Sequence, residues 1–202
     1  MEELYKQVEA LFEKYHYPAH DFKHVQRVSN LAKQIAKTEG YDETEAEIAG
    51  LLHDVGRTVK DPKEPHAKEG VPIAKGLLDS YTNFSTEAKE RILESIRVHS
   101  DLYTQGKLNN IVQDADKLDG MGAMGINRAY ISHSGLPDYD PKDIFPGPGD
   151  YNNFQTIHDL ISLEIKWYSM LYTDKARKLG KPRYEFMLAF MDEIKREVEE
   201  SS

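Results

Sequence analysis

The stretch "GLLHDVGRTV", residues 50–59, places a histidine and an aspartate side by side at the end of an apolar run. His53 follows Ala49 by four residues and Leu52 by one, so it lies on or beside the apolar face of the predicted helix. Asp54 puts a carboxylate next to this half-buried imidazole, and an unpaired carboxylate there would carry a large desolvation cost. The pair therefore indicates a compensating group at the end of this helix.

Two other polar side chains also fall on apolar helix faces. His24 precedes Val28 by four residues, and Asp116 follows Val112 by four residues in "QDADKLDG". A divalent cation held by His24, Asp116 and the histidine–aspartate pair would account for all four placements. The chain has no cysteine, so thiolate ligation is excluded. The mixed nitrogen and oxygen ligand set suits Mn, Fe, Co, Ni or Zn.

Two further histidines extend this ligand set. His66 falls at a predicted helix start just after Pro65, and His99 falls at the end of the predicted helix "ERILESIRVHSD". Both reach a common centre if the helices pack as a bundle. The nitrogen and oxygen ligands would then suffice for two metals with Asp54 as the bridge, so one ion or two per chain are both open.

The remaining histidines carry weaker signals. His16 and His20 flank "YPA" before the first core helix, His133 lies at a predicted helix end, and His158 stands beside a long loop. The pattern favours ordinary exposed histidines at these four positions.

Composition bounds the class of protein. The chain has 202 residues, of which 39% are hydrophobic and 30% charged, and its net charge is −9. These values indicate a soluble globular protein and argue against binding to nucleic acid or to a membrane surface. No run of about 18 apolar residues and no signal peptide is present, so we expect a cytoplasmic protein. A bound metal could still attract a small anionic substrate.

The apolar periodicity is helical nearly throughout, which predicts an all-α protein. We expect one domain over 1–202, with the motif-bearing core at about 20–132 and the C-terminal helices, 155–200, in the same domain. The pattern predicts one continuous helix over 109–133, and a separation of the last two helices at Pro182. The loop 134–153, rich in Pro, Gly and Asp, has no assigned role. The N-terminal and aromatic C-terminal helices suit either the core or a homodimer face.

The order of the polar residues resembles the signature of the HD superfamily of metal-dependent phosphohydrolases, in which a histidine, a histidine–aspartate pair and an aspartate follow one another. The resemblance spans roughly residues 20–132 and rests on five segments: "DFKHVQRV", "LLHDVGR", "PHAKEG", "RVHS" and "QDADKLDGMGAMGINRAY". It implies a helical bundle that hydrolyses phosphoester or phosphoanhydride bonds, mostly of nucleotides.

The resemblance also implies roles for particular residues. It implies that four residues are metal ligands: His24, His53, Asp54 and Asp116. At His66 and His99 it implies either a second ion or the lining of a substrate pocket.

Cationic residues near these ligands are candidates for binding phosphoryl groups, because phosphoryl transfer needs mainly positioning and electrostatic stabilisation. Arg57 follows Asp54 by three residues and Lys117 is adjacent to Asp116. Alternatively, Arg57 only compensates a helix C-terminus and Lys117 pairs with Asp114 on the surface. Asp119 either orients a ligand histidine or caps the glycine-rich segment. Asp54 could also orient the attacking water.

The predicted function is a metal-dependent phosphohydrolase acting on a small phosphorylated metabolite, preferentially a nucleotide. Its cofactor is one or two divalent ions, with Mn expected ahead of Fe, Co, Ni, Mg or Zn. Two alternatives stay open at this point: a di-iron oxygenase of the HD type, and a metal- or nucleotide-sensing domain without turnover. No nucleic-acid or membrane partner is expected.

Overall fold

The computed structural model describes residues 1–15, 17–80, 84–144 and 153–201. The helices are α1 Glu2–Lys14, α2 Phe22–Glu39, α3 Glu43–Leu52, α4 His66–Ser80, α5 Thr86–Val98, α6 Lys107–Asp119, α7 Gly122–Ser132, α8 Ile157–Ile165 and α9 Asp174–Glu200. Short 3-10 turns span Val55–Thr58 and Lys166–Met170. Among these residues the extended pairing is an isolated bridge between Asp140 and Asp143. The prediction of an all-α protein is therefore confirmed.

The chain forms two compact units, residues 1–116 and residues 117–202. In the first unit α2 packs on α3, and α5 packs on both α3 and α4. Local capping determines both ends of α2. The Asp21 side chain accepts a hydrogen bond from the His24 N–H at its start, and Gly40 ends the helix with a φ of 63°. Whether the whole chain is one HD-type domain stays a prediction.

The core of the first unit consists of large aliphatic side chains on these packed faces. Its fully buried members are Ile35, Ile48, Leu51, Leu52, Leu78, Ile92, Ile96 and Ile111. Burying each of them contributes about 1.5–3 kcal/mol. This apolar packing holds the ends of α3 and α5, which carry the polar residues of interest.

The predicted continuous helix over 109–133 is wrong. The structure has α6 ending at Asp119 and α7 beginning at Gly122. Met121 is extended, with φ −116° and ψ 157°, and Gly122 has a φ of 75°. That φ lies in the left-handed region, which costs little only for glycine, so the glycine-rich sequence turns the chain here.

The predicted separation at Pro182 is also wrong, because Pro182 lies inside α9. The break occurs earlier, in the 3-10 turn Lys166–Met170, and the Thr173 side chain caps α9 by accepting from the Ala176 N–H at 3.2 Å. A proline inside a helix removes one hydrogen bond and crowds the preceding turn. Packing of α9 against α7 and α8 through the buried Met187 and Met191 stabilises the helix across it.

Part of the predicted loop 134–153 lies outside the described residues, as does His16. At the loop's two ends, the Ile157 N–H donates to the Pro137 carbonyl at 3.0 Å and the His158 N–H donates to the Asp138 carbonyl at 2.9 Å. Across the described parts of the chain, no helix combines the length and the apolar character that a membrane crossing requires.

Candidate metal centre

The polar residues singled out in the sequence converge on Asp54 within the first unit, and each comes from a helix end. His24 lies in the first turn of α2, His53 and Asp54 directly follow α3, His66 begins α4, His99 directly follows α5, and Asp116 lies in the last turn of α6. Helix ends bring functional side chains together without opening the apolar interfaces between the helices.

Four of these side chains form a first set of ligating atoms. Nε2 of His24 lies 3.5 Å from Asp116 Oδ1 and 3.6 Å from Asp54 Oδ2. Nε2 of His53 lies 3.7 Å from Asp116 Oδ1 and 3.8 Å from Asp54 Oδ2. Atoms bonded to one ion at about 2.0–2.2 Å in a tetrahedral arrangement lie about 3.4 Å apart. The spacing of the four side chains is close to that value.

A second set surrounds the other carboxylate oxygen of Asp54. Oδ1 lies 3.3 Å from Nε2 of His66 and 3.5 Å from Nε2 of His99, and the two Nε2 atoms are 3.1 Å apart. These distances also lie close to the spacing of about 3.4 Å between ligands of one tetrahedral ion. Asp54 thus lies between two groups of imidazoles, with one oxygen toward each.

The backbone determines which nitrogen of two of these histidines faces the centre. Nδ1 of His53 donates to the Gly50 carbonyl at 2.8 Å, and Nδ1 of His99 donates to the Ile96 carbonyl at 2.7 Å. A carbonyl oxygen only accepts, so the proton of the neutral ring is on Nδ1 and Nε2 carries a lone pair. This arrangement is typical of metal-ligating histidines, whose other ring nitrogen is held by a carbonyl or carboxylate.

Two buried polar atoms at the centre support a metal site. In the part of the chain that the structure describes, Nε2 of His53 and Oδ1 of Asp54 are buried and form no hydrogen bond. Buried polar atoms of native proteins are nearly always satisfied, because an unsatisfied one carries a desolvation cost. A divalent cation accepts lone pairs from both kinds of atom, so the residues fit such an ion.

The ionisation of these groups also favours cation binding. Burial lowers the pKa of His53 to about 4 and that of His66 to about 3, so both rings are neutral at pH 7. Burial by itself would raise the pKa of Asp116, but the neighbouring His53 and His24 outweigh it and lower that pKa to about 2. The pKa of Asp54 is likewise held below its usual range, against burial, by His53 and Arg57. Burial lowers the pKa of His99 but is outweighed by the Asp54 carboxylate, which raises that pKa. The centre therefore presents ionised carboxylates, with neutral imidazoles at His53 and His66.

Arg57 belongs to this centre. Its Nε donates to Asp54 Oδ2 at 2.7 Å, and its Nη2 lies 3.3 Å from Nε2 of His66. The 3-10 turn Val55–Thr58 presents Arg57 because it packs against the start of α4, where a Cβ on Gly56 would clash with the His66 carbonyl oxygen. Its side chain remains 20% exposed, so the guanidinium has a path to solvent.

His20 also belongs to the centre, and the expectation of an ordinary exposed histidine there is wrong. Its side chain is only 24% exposed, and its Nδ1 lies 2.9 Å from Asp54 Oδ2. Helical periodicity carries no signal for this residue because it lies in the turn that precedes α2. The nearest sequence signal is its position four residues before His24.

The expectation of exposure is also wrong for His158, which is 1% exposed. Its ring stacks on Tyr139 with centroids 5.5 Å apart, and its Nδ1 lies 3.4 Å from the Ile144 carbonyl oxygen. His133 is partly buried, with Nδ1 2.7 Å from the Ser132 hydroxyl.

Two other predicted residues, Lys117 and Asp119, belong to the second unit. Nζ of Lys117 lies 5.8 Å from the ring centroid of Tyr172, and Asp119 pairs with Nη1 of Arg128 at 3.1 Å. Substrate binding by Lys117 and orientation of a ligand histidine by Asp119 stay predictions.

Residues 21–121 match the family of HD domains, a span that contains Asp54 and every residue described around it except His20. The chain belongs to the HD domain family. HD domains bind divalent metals, and the clustered His and Asp side chains of this HD domain protein are the groups that could hold one.

Relatives of this HD domain protein cover nearly its whole length. It is 30% identical over 194 residues to the uncharacterized protein YpgQ of Bacillus subtilis, which covers 89% of this chain and 84% of YpgQ. The solved structure of YpgQ in complex with ADP covers 97% of this chain and 96% of that chain, with a TM-score of 0.71. A predicted HD superfamily hydrolase from an uncultured Thermotogales bacterium is 28% identical, covers 98% of this chain and 92% of that chain, and has a TM-score of 0.71.

A shorter match concerns ribonuclease Y of Oleidesulfovibrio alaskensis. The two are 36% identical over 98 residues, which is 48% of this chain and 17% of the ribonuclease. The similarity is that of a shared domain. Taken together, the family and its structural relatives make this chain a member of the HD-superfamily hydrolases.

Proposed function

We propose that this HD domain protein is a metal-dependent phosphohydrolase that cleaves a phosphoester or phosphoanhydride bond of a nucleotide. One observation carries the proposal: the Asp54 carboxylate lies between two groups of imidazole nitrogens at the mutual distances of metal ligands. The membership of the HD-superfamily hydrolases supports the reaction class.

The proposed ligands of one divalent ion are His24, His53, Asp54 and Asp116, and those of a second are Asp54, His66 and His99. Mn²⁺ is the proposed metal, because a mixed imidazole and carboxylate set suits it. A divalent ion at such a site acts as a Lewis acid on a phosphoryl group and makes water a stronger nucleophile at neutral pH.

The protein's own residues position the reactants. Nε of Arg57 donates to Asp54, which fixes the orientation of the planar guanidinium group. Its remaining N–H groups can donate to phosphoryl oxygens. Asp54 is the proposed group that orients the attacking water, since its two oxygens face the two sets of imidazoles. Pre-organised charge of this kind accounts for most of the catalysis of phosphoryl transfer.

A nucleotide is the proposed substrate because the solved structure of the relative YpgQ is a complex with ADP. The net charge of −9 does not oppose an anionic substrate, since cations and Arg57 would make the potential at the centre locally positive.

Metal binding is expected to stabilise the folded protein and to saturate at about two Mn²⁺ ions per chain. A ligand present at about 100 times its dissociation constant adds about 2.7 kcal/mol to the free energy of unfolding, which raises the Tm of a chain of this size by about 5–10 °C. Thermal unfolding and metal content after gel filtration of chelator-treated, Mn²⁺-reloaded protein measure both quantities.

The matched control for the second site is His99→Ala, which is expected to retain about one ion per chain. Nε2 of His99 is a proposed ligand of the second ion alone, although its ring also packs edge-on against His53 with centroids 5.1 Å apart. An unchanged Tm on addition of every divalent metal tested would contradict the metal centre altogether.

The function is tested by the release of phosphate and pyrophosphate from nucleoside mono-, di- and triphosphates, using metal-stripped protein with Mn²⁺, Mg²⁺, Co²⁺ or Ni²⁺ added back. Orthophosphate from monophosphates would identify a nucleotidase, and pyrophosphate from triphosphates a nucleotide pyrophosphohydrolase. Either result supports the proposal.

Absence of release with every metal, from protein shown to bind Mn²⁺, would overturn it. Bound iron with an optical change on oxidation would then favour a di-iron oxygenase. Nucleotide binding without product would favour a sensing domain.

A further inference from the structure

We propose that His20 is a positioning residue of this centre, which holds the Asp54 carboxylate in the orientation that metal binding requires. The inference deepens the proposed function and rests on its metal site, but not on the identity of the reaction.

The hydrogen bond between His20 and Asp54 is the first observation. Nδ1 of His20 donates to Asp54 Oδ2 at 2.9 Å, and Nε of Arg57 donates to the same oxygen at 2.7 Å. Asp54 is almost fully buried, with 2% of its side chain exposed. Two donors on one oxygen fix the plane of the carboxylate, and Oδ1 is thereby directed toward His66 and His99. Loss of the His20 donor would leave Arg57 as the remaining donor to this oxygen and would weaken the restraint on rotation of the carboxylate about its Cβ–Cγ bond.

The backbone before His20 is the second observation. Ala19 has a φ of 64°, and it is the sole non-glycine residue with positive φ in the described part of the chain. The left-handed region is unfavourable for a residue with a Cβ, and such strain persists where surrounding contacts hold it, often at functional sites. The turn is closed by the His20 N–H, which donates to the Tyr17 carbonyl at 3.2 Å. The strained turn directs the His20 side chain toward Asp54.

The packing of the His20 ring is the third observation. It contacts His24 edge-on at a centroid distance of 5.2 Å and Tyr17 edge-on at 5.8 Å. The guanidinium of Arg57 lies over the Tyr17 ring at 5.4 Å. Both donors to Asp54 Oδ2 are thus supported by the same aromatic side chain, and the ring orientation that presents Nδ1 is held from two sides.

The role predicts a graded effect on metal affinity. Residues that orient a metal ligand through a hydrogen bond typically contribute about 10–100-fold to metal affinity or activity. We expect His20→Ala and His20→Gln to weaken Mn²⁺ binding by that factor. His20→Asn is expected to bind Mn²⁺ within about threefold of the wild type, because the asparagine amide places an N–H near the position of Nδ1, whereas the glutamine amide places it near Nε2.

The experiment titrates Mn²⁺ into each metal-free variant and follows free Mn²⁺ by electron paramagnetic resonance, with far-UV circular dichroism of each variant as the measure of folding. His133→Asn is the matched control, a partly buried histidine of the second unit, and it is expected to bind Mn²⁺ as the wild type does. A kcat lowered by His20→Gln and retained by His20→Asn, at saturating Mn²⁺ and substrate, would further support the role.

Equal affinity for Mn²⁺ in the wild type and in folded His20→Ala would overturn the inference. So would a failure of His20→Asn to exceed His20→Gln, since that result would make the imidazole itself a ligand or a packing group. Because Mn²⁺ affinity is measured without substrate, a wild type that binds Mn²⁺ but hydrolyses no nucleotide refutes the proposed function and leaves this test intact.

Discussion

Replacement of Asp54 by alanine is expected to abolish hydrolysis, with kcat/KM lowered by about 10³-fold or more, while the helical fold persists. Asp54 contributes an oxygen to each of the two proposed ion positions, so its loss removes a ligand from both. Metal-assisted stabilisation of a phosphoryl transition state amounts to several kcal/mol, and about 4 kcal/mol corresponds to that factor. Steady-state kinetics and metal content of the purified variant measure the effect.

Two variants make this result specific. Asp54→Asn keeps the shape of the side chain but loses its charge, and it should lose nearly as much activity as the alanine variant. Asp79→Ala removes a carboxylate that is 53% exposed and pairs with Lys75 on the surface, and its kcat/KM should be unchanged. Retention of more than about a tenth of the activity in folded Asp54→Ala would show that this carboxylate is not central.

Replacement of Glu164 by glutamine is expected to remove a large pH dependence from the stability of the protein. Glu164 is 8% exposed, and its Oε2 forms no hydrogen bond within the described residues. Burial raises the pKa of this carboxyl to about 8, against the opposing charge of Arg128. The side chain is therefore protonated in the folded protein at neutral pH, whereas in the unfolded chain it is ionised above its usual pKa.

The sign of the pH effect follows from this raised pKa. The contribution of Glu164 to the free energy of unfolding is fully present below the unfolded pKa of about 4.3. It falls as the pH rises toward 8, because the carboxyl of the unfolded chain releases its proton at a lower pH than that of the folded protein. The maximum slope is about 1.4 kcal/mol per pH unit, so the wild type loses about 4 kcal/mol from this group between about pH 5 and pH 9. Above the folded pKa the loss levels off.

Urea unfolding of the wild type and Glu164→Gln across this pH range isolates the contribution, because other titrating groups cancel in the difference. We expect the free energy of unfolding of Glu164→Gln, relative to that of the wild type, to increase as the pH rises toward 8. Glu199→Gln, which alters an exposed glutamate of α9, serves as the control. Parallel stability profiles for the wild type and Glu164→Gln would contradict the raised pKa.

Errors in the predicted helix boundaries share a cause. The division between α6 and α7 depends on one glycine with a positive φ, and the continuation of α9 through Pro182 depends on packing against α7 and α8. The break between α6 and α7 and the continuation of α9 depend on a backbone conformation and on tertiary contacts, which a local pattern of apolar residues does not predict. Periodicity located the helices correctly where a single buried face determines them, as in α2 and α5.

The sequence alone determined the all-α class and the polar residues that face apolar surfaces, because helical periodicity is a local property and a carboxylate on an apolar face is conspicuous by its desolvation cost. His24, Asp54 and Asp116 were identifiable in that way. Three features emerged from the folded structure alone: the contact of His20 with Asp54 across 34 positions of the chain, the contact of His66 with His99 across 33, and the burial of Glu164. These contacts depend on how turns and helix ends pack against one another. Turns and loops have no regular residue periodicity, so the sequence pattern does not predict which of their side chains come into contact.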